Sequence, residues 1–496
     1  KNTQGEKFKI LENHFKSDAD KRLLKVVNDQ IKIKGIKNVL HNGIDEMGQN
    51  FKIVYFSPKS QINKIHVQNY SKNIFSVMRQ FKYSSINNNS VDICILINGI
   101  PLFTLELKNS LTNQTHLDAI RQYIKDRNPD ENIFNFNRCI AHFAIGTEEL
   151  YFTTKLNGDK TSFLPFNKIN NTNYKGIKTA FFWKKILIKE NILDIIENYV
   201  HISEKEEINF DLKKNKIEKS KSKNLIFPRY HQLEAILNIE NDLKKNGCGQ
   251  SYLIEHSTGS GKSYTIGWLA IKLINQFNKN DNTKFLFDSV IIISDRQNID
   301  KQLSYTLRDI ENVKGIVADT FENDSNQLKN YLNQGKKIII STVQKYVSIS
   351  KQIKNIKDKN FAIIIDEVHS SQEGKYSNHL KIALSNNNIK NFDEGENDED
   401  LTEIDKRILK EIKFHGKQKN ISYFGFSGTP KDTTLDIFGT KVPGSKQKVS
   451  FHKYSMKQSI DEGFTLNVLK NYTTYNRFFK LNLKNTQSDK QIAVSE

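Results

Sequence analysis

The chain has 496 residues, 37 % hydrophobic and 26 % charged, with a mean hydropathy of -0.60. At ~100–200 residues per domain this length suggests about three folded units. No apolar run approaches the ~20 residues of a membrane span, and the three scattered cysteines, Cys94, Cys139 and Cys248, exclude a disulfide scaffold or a cysteine-rich zinc site. A surplus of 75 basic over 56 acidic residues, net +19, favours a polyanionic partner, nucleic acid first. A chain this rich in Lys, Asn and Ile would also be basic through A/T-rich codons alone. It opens at Lys1 with no charged-then-apolar leader, so no secretion signal is expected, and a reducing cytoplasm is the expected setting.

In chain order, a polar helical start over Lys7–Asn28 precedes apolar, strand-like runs at 52–56, 91–97, 102–107 and 139–145. Helices are predicted near 116–126 and 181–199. A charged stretch at 203–224, with Lys-rich clusters, reads as a surface linker. Beyond it, short β-branched runs alternate with helical stretches. The strands are Tyr252–Ile254, Ser289–Ser294, Lys337–Thr342, Ala362–Asp366 and Ser422–Ser427. The helices are Tyr264–Phe277, Ile299–Arg308 and Asn326–Asn333. Such alternation implies a parallel sheet with helices on both faces. The acidic insert Asp393–Asp400 reads as a solvated loop.

The strongest local signal is Ser257-Thr258-Gly259-Ser260-Gly261-Lys262-Ser263, between a predicted strand and helix. Its glycines let backbone N–H groups curl around a phosphate, and the following helix start adds positive potential. Lys262 should reach the β- and γ-phosphates of ATP, and the Ser263 hydroxyl should bind Mg²⁺. A strict phosphate loop would carry Gly at 256, where this chain has His256. Downstream, an apolar strand ends in Asp366 and Glu367. Asp366 can hold the Mg²⁺ through water, and Glu367 can orient and deprotonate the attacking water.

The first half carries a second constellation. Asp92 opens one strand, and Glu106 and Lys108 close the next, with Asn98-Gly99 between them as a hairpin signal. A two-residue turn at 98–99 would pair Asp92 with Leu105, on the face away from Glu106. A longer, bulged loop over 98–100 would pair it with Glu106, and the bulged form is expected because Gly99 and Pro101 disturb a regular ladder. Two carboxylates meeting without a basic neighbour repel unless they share a cation, for which oxygen ligands suit Mg²⁺. Lys108 would then position the attacking water or offset negative charge developing on a phosphodiester.

Several strings place these sites within a family. Asp366-Glu367-Val368-His369 resembles the DExH box of superfamily 2 motors. Phe227-Pro228-Arg229-Tyr230-His231-Gln232 resembles their adenine-reading motif, which implies Gln232 as a base contact. The stretches 294–298 and 341–345 resemble segments that grip a nucleic-acid backbone, implicating Arg296, Thr342, Gln344 and Lys345. Ser427-Gly428-Thr429 resembles the element that couples hydrolysis to movement. Taken with Asn73–Phe81, the Asp92…Glu106-x-Lys108 pattern, Phe163–Asn167 and Phe451–Met456, the chain resembles the motor and cleavage (R) subunit of type I restriction enzymes over roughly residues 30–480.

That resemblance implies an N-terminal restriction-endonuclease-like, PD-(D/E)xK α/β domain over 1–202 and the linker at 203–224. It also implies a first RecA-like superfamily 2 motor domain over 225–470, with the start of a connection to a second RecA-like domain at 471–496. It further implies ATP and Mg²⁺ as cofactors, and double-stranded DNA with methyltransferase (M) and specificity (S) subunits as partners. Members often carry a Gln and a Tyr four residues apart after the ExK lysine. Gln122 matches as a substrate-positioning residue, but Asp126 stands in the tyrosine's place. Members run to around twice this length, so the chain is expected to bind nucleotide without turning it over well. Two alternatives share these motifs: a stand-alone helicase–nuclease, and an ATP-gated DNA-binding subunit with an inactive nuclease site.

Overall fold

The computed structural model describes residues 3–58, 63–168, 176–211, 216–279, 281–294, 316–319, 327–342, 359–366 and 419–467, save 431, 443 and 446, with parts of 303–310. The helical start is two helices, α1 (Gly5–Phe15) and α2 (Ala19–Lys34), parted by a tight turn at Lys16–Asp18 where Lys16 takes φ 50°. Then come α3 (Ile36–Asn42), a small hairpin of β1 (Ile44–Glu46) and β2 (Gln49–Phe51), and α4 (Lys64–Ser71). The run at 52–56 is not a strand. Its backbone groups are met by asparagine side chains: Asn73 with Tyr55 N–H and C=O, and Asn98 with Ile53 C=O. That satisfies them without a neighbouring ladder.

A six-stranded sheet follows, with β3 (Phe75–Lys82), β4 (Ser90–Ile97), β5 (Ile100–Leu107), β6 (Ala141–Ile145), β7 (Leu150–Thr153) and β8 (Leu164–Pro165) in spatial order. Only β5 and β6 run parallel, and α5 (His116–Lys125) lies on the crossover between them. A capping box of Thr115 and Asp118 starts α5. The helix predicted over 181–199 divides into a π-turn at Phe182–Ile186 and α6 (Lys189–Asn198), because Ile188 is extended between them.

The stretch read as a linker is instead an antiparallel hairpin, β9 (His201–Asp211) and β10 (Lys216–Ile226). Lys223 stands opposite Glu204, with which it forms a 2.8 Å ion pair. Such cross-strand pairs favour a ladder over a solvated coil.

The second half runs through α7 (Tyr230–Asn246), β11 (Ser251–His256), α8 (Lys262–Ile274), a small hairpin of β12 (Phe277–Asn278) and β13 (Asp281–Phe285), β14 (Ser289–Ser294), β15 (Val317–Asp319) and α9 (Gln327–Asn333). It continues with β16 (Ile338–Thr342), β17 (Phe361–Ile365), β18 (Ile421–Ser427), α10 (Asp432–Phe438), the short pair β19 (Thr440–Lys441) and β20 (Lys448–Val449), β21 (His452–Tyr454) and α11 (Met456–Asp461). Seven strands form one parallel sheet in the order β15-β16-β14-β17-β18-β11-β21. The Ile-rich strands β14 and β16 are buried along their whole length, as a sheet covered on both faces requires. The fold class is thus mixed α/β, with the predicted parallel sheet in the second half. The insert 393–400 and half of the helix predicted at 299–308 lie outside the described residues. Among the described residues no helix is long and apolar enough to cross a membrane.

One apolar core runs through both halves. Phe227 enters a cluster of Phe103, Phe143, Phe152 and Phe166 from the first sheet, at ring distances of 5.2–6.1 Å. Lys272 of α8 reaches across to Asp194 of α6 at 2.7 Å and holds Glu240 of α7 at 3.1 Å.

Candidate functional site

Asp92 and Glu106 come together, by a route that combines both predicted loop forms. The turn is two residues, Asn98 (φ 48°) and Gly99 (φ 84°), with Ile97 opposite Ile100 and Leu96 opposite Pro101. The ladder then slips by one, so Ile95 faces Phe103, Cys94 faces Thr104 and Ile93 faces Leu105. The unpaired residue is Leu102, just past Pro101. Continuing that register sets Asp92 opposite Glu106.

Asp92 Oδ2 accepts a hydrogen bond from Leu107 N–H at 2.8 Å, and Oδ1 accepts one from Gln80 at 3.2 Å. Glu106 is wholly buried, and burial pushes its carboxyl up to about 7, with Arg127 pulling against the shift and the adjoining Asp92 carboxyl adding to it. The pair therefore does have a basic neighbour, contrary to the expectation from sequence. Arg127 donates from Nε at 2.8 Å and Nη2 at 2.7 Å to a single oxygen, Oε1. No hydrogen-bond donor among the described residues reaches Glu106 Oε2, which is buried.

Lys108 follows β5 directly, half-buried, its backbone N–H bonded to Ile145 C=O at 2.8 Å. Gln122 lies on α5 with its Oε1 buried and likewise without a partner among the described residues. Tyr123 next to it is buried and bonded to Thr104 at 2.9 Å. No cluster of three or more His, Cys, Asp or Glu side chains that could hold a metal ion occurs among the described residues. Two carboxylates, one of them with a bare buried oxygen, suit a hard cation that keeps several waters, the habit of Mg²⁺, rather than a closed protein cage.

The phosphate loop lies between β11 and α8. Gly259 (φ 80°) and Gly261 (φ 87°) both take left-handed conformations that glycine allows at no steric cost. Lys262 is buried at the start of α8, with Nζ 3.5 Å from His256 C=O. Thr258 is exposed, Ser260 buried and Ser263 half-buried. Gln232 braces the loop: it donates to Gly261 C=O at 3.1 Å and accepts from Arg229 N–H at 2.9 Å.

Strands β17, β18 and β11 are neighbours, so Asp366, Ser427 and the loop gather at one carboxyl edge, where ligands of such sheets bind. Gly428 packs against Thr258, to whose hydroxyl a Cβ would come within 3.2 Å, and Thr429 is exposed beside it. Ser294 and Thr342 stand side by side at the same edge of β14 and β16. A cavity of about 560 Å³ opens beside the loop, lined by Arg229, Gln232, Gly261 and Tyr264 and, from the first half, Lys155 and Lys160.

His256, where a strict loop would have glycine, is buried beneath it and hydrogen-bonds His452 across the ladder at 2.9 Å. Burial and the nearby cationic groups hold both His256 and His231 well below the ordinary histidine range.

Two family profiles match the chain. Residues 2–161 match "Type I restriction enzyme R protein N terminus", and residues 231–393 match "SWI2/SNF2 ATPase". The chain is therefore similar over its first third to the N-terminal part of type I restriction enzyme R proteins, and over a later third to SWI2/SNF2 ATPases.

Among curated relatives, a putative type I restriction enzyme endonuclease subunit of Methanocaldococcus jannaschii is 25 % identical over 93 % of this chain. One from Staphylococcus aureus is 24 % identical over 81 %. The chain spans 42 % and 37 % of their respective lengths. A solved fragment of a putative HsdR subunit from Vibrio vulnificus aligns over 78 % of this chain and 56 % of its own, at 14 % identity and a TM-score of 0.30, too low to bear on the fold. The stretch matching the R-protein profile contains Asp92, Glu106, Lys108, Gln122 and Arg127, and the stretch matching the ATPase profile contains the phosphate loop and Asp366. Glu367, Arg296, Gln344 and Lys345 lie outside the described residues. Arg127 was missed from sequence because nothing in its local pattern distinguishes it from a solvated helix-end arginine.

Proposed function

We propose that this chain is the cleavage and motor portion of a type I restriction enzyme: an ATP-dependent DNA translocase joined to an Mg²⁺-dependent endonuclease that cuts unmodified duplex DNA after translocation. It would work beside methyltransferase (M) and specificity (S) subunits. The observation that carries the reading is the meeting of the Asp92 carboxyl with buried Glu106, whose Oε2 has no donor among the described residues, in a region that shares one core with a phosphate loop.

At the nuclease centre Asp92 and Glu106 would hold Mg²⁺, which when bound polarises a phosphodiester and acidifies water. Lys108 would orient that water and offset charge on the scissile phosphate, and Gln122 would position the strand. At the motor centre Thr258, Gly259, Ser260 and Gly261 would wrap the phosphates through their N–H groups, and Lys262 would reach the β- and γ-phosphates. Ser263 and Asp366 would hold the nucleotide's Mg²⁺, and Glu367 would direct the attacking water. Gln232 would face the base in the adjoining cavity, and Ser427, Gly428 and Thr429 would couple hydrolysis to movement. Arg296, Thr342, Gln344 and Lys345 would track the DNA backbone. The stretches 1–202, 203–224, 225–470 and 471–496 are proposed as nuclease domain, connecting hairpin region, first motor domain and the start of a further connection.

Supercoiled-plasmid cleavage by the full-length parent of this chain tests this, run with and without the M and S partners, ATP and Mg²⁺, beside Lys262→Ala and Lys108→Ala. Cutting that needs partner and ATP and is lost in both variants is expected. Cutting by the subunit alone would replace this reading with a free helicase–nuclease. ATP hydrolysis without cutting under any assembly would leave an ATP-driven DNA-binding subunit with an inactive nuclease site.

A further inference from the structure

The two oxygens of Glu106 have unlike surroundings. Oε1 takes both forked donors of Arg127, whose Nη2 also donates to Ser90 C=O at 3.0 Å and whose guanidinium lies over the Tyr83 ring, 5.7 Å from its centroid. Oε2 receives no donor among the described residues, and the Asp92 carboxyl lies beside that of Glu106. An arginine present only to neutralise a buried glutamate would commonly fork across both oxygens, one N–H to each. Here both donors converge on one oxygen, and the guanidinium is itself fixed by Ser90, on the strand that carries Asp92. Arg127 follows directly on Asp126, the C-terminal cap of the helix that carries Gln122, so one helix end supplies the clamp.

We propose that Arg127 is the positioning residue of the nuclease centre. By gripping Glu106 through Oε1 alone, it fixes the side chain with Oε2 turned toward Asp92, so that the pair receives a divalent cation without rearrangement. Its single positive charge also lets the two carboxyl groups stand together. This inference rests on the metal-dependent nuclease reading above.

The test is Mn²⁺ binding to the full chain without nucleotide, followed through the electron paramagnetic resonance of free Mn²⁺, with thermal unfolding of each variant alongside. Loss of such an orienting partner weakens metal sites about 10–100-fold, and Arg127→Met should do so while leaving ATP binding unchanged. Arg127→Lys should recover part of the affinity, because one ammonium can donate to Oε1 but cannot reproduce the fork and the bond to Ser90 together. Arg127→Met within twofold of the parent, with Glu106→Gln abolishing binding, would overturn the role of Arg127 and leave the nuclease reading intact. Mn²⁺ binding unaffected by both Asp92→Asn and Glu106→Gln would overturn the metal site itself. Should Arg127→Met fail to fold, Arg127→Lys decides: full parental affinity would contradict the proposal, and a several-fold loss would support it.

Discussion

The two candidate centres solve opposite electrostatic problems. At the phosphate loop, on the proposed function, the ligand would bring the negative charge, and the protein would answer with backbone N–H groups, a helix start and Lys262, all from one short stretch of chain. At the nuclease centre the protein itself supplies the negative charge, in the dry environment of Glu106. A buried carboxylate needs a counter-charge, and it comes from Arg127 on a different element. Backbone-built sites are therefore local in sequence, whereas sites built from buried charge draw on distant residues. The two nonetheless share one core, through Phe227 and the ion pairs of Lys272.

That shared core is the first part of the comparison to break. Phe227→Ala removes a ring packed against four others and should cost about 3–5 kcal/mol, read as a large fall in the denaturant midpoint. If only the second half lost stability, as shown by separate transitions, the two regions would not be one cooperative unit.

Acid should act through buried neutral histidine. His142 is bonded to Thr104 at 2.7 Å, and burial lowers it to about 3. Below its unfolded value of about 6.5, the unfolded chain takes up a proton that the folded chain refuses, so stability falls as pH drops, by about 1.4 kcal/mol per pH unit. Denaturant midpoints measured between pH 7 and 5 should show this slope shallower in His142→Gln.

Gly261→Ala bears on the phosphate loop alone. At φ 87° a side chain is strained by about 1–2 kcal/mol, and its Cβ would come within 2.8 Å of Gln232 Nε2. Nucleotide affinity should fall roughly tenfold while Mn²⁺ binding at Asp92 and Glu106 is unchanged. At the small end, Asp159→Asn breaks the exposed Lys125–Asp159 pair, 2.6 Å long, and should not measurably move the midpoint.

Legibility followed the same division. The phosphate loop, Asp366 and the Ile-rich strands could be read directly, because a fully buried parallel strand demands an unbroken β-branched run. The facing of Asp92 and Glu106 was readable as one of two registers. The deciding bulge, however, sits at Leu102 after a two-residue turn rather than within a longer loop. The hairpin at 201–226 was hidden because its lysines and glutamates read as solvated until their register is known. The strand expected at 52–56 failed because Asn73 and Asn98, remote in sequence, satisfy its backbone. Arg127 was illegible for the reason that makes it informative: its role exists only once β4, β5 and the end of α5 are assembled.

The most direct test of two separate centres in one folded unit is a count of Mn²⁺ sites by electron paramagnetic resonance, with and without ATP, in the parent chain, Lys262→Ala and Glu106→Gln. The account predicts one nucleotide-independent site lost only in Glu106→Gln, and one ATP-dependent site lost only in Lys262→Ala. A single site abolished by either substitution, or no nucleotide-independent site in the parent chain, would contradict it.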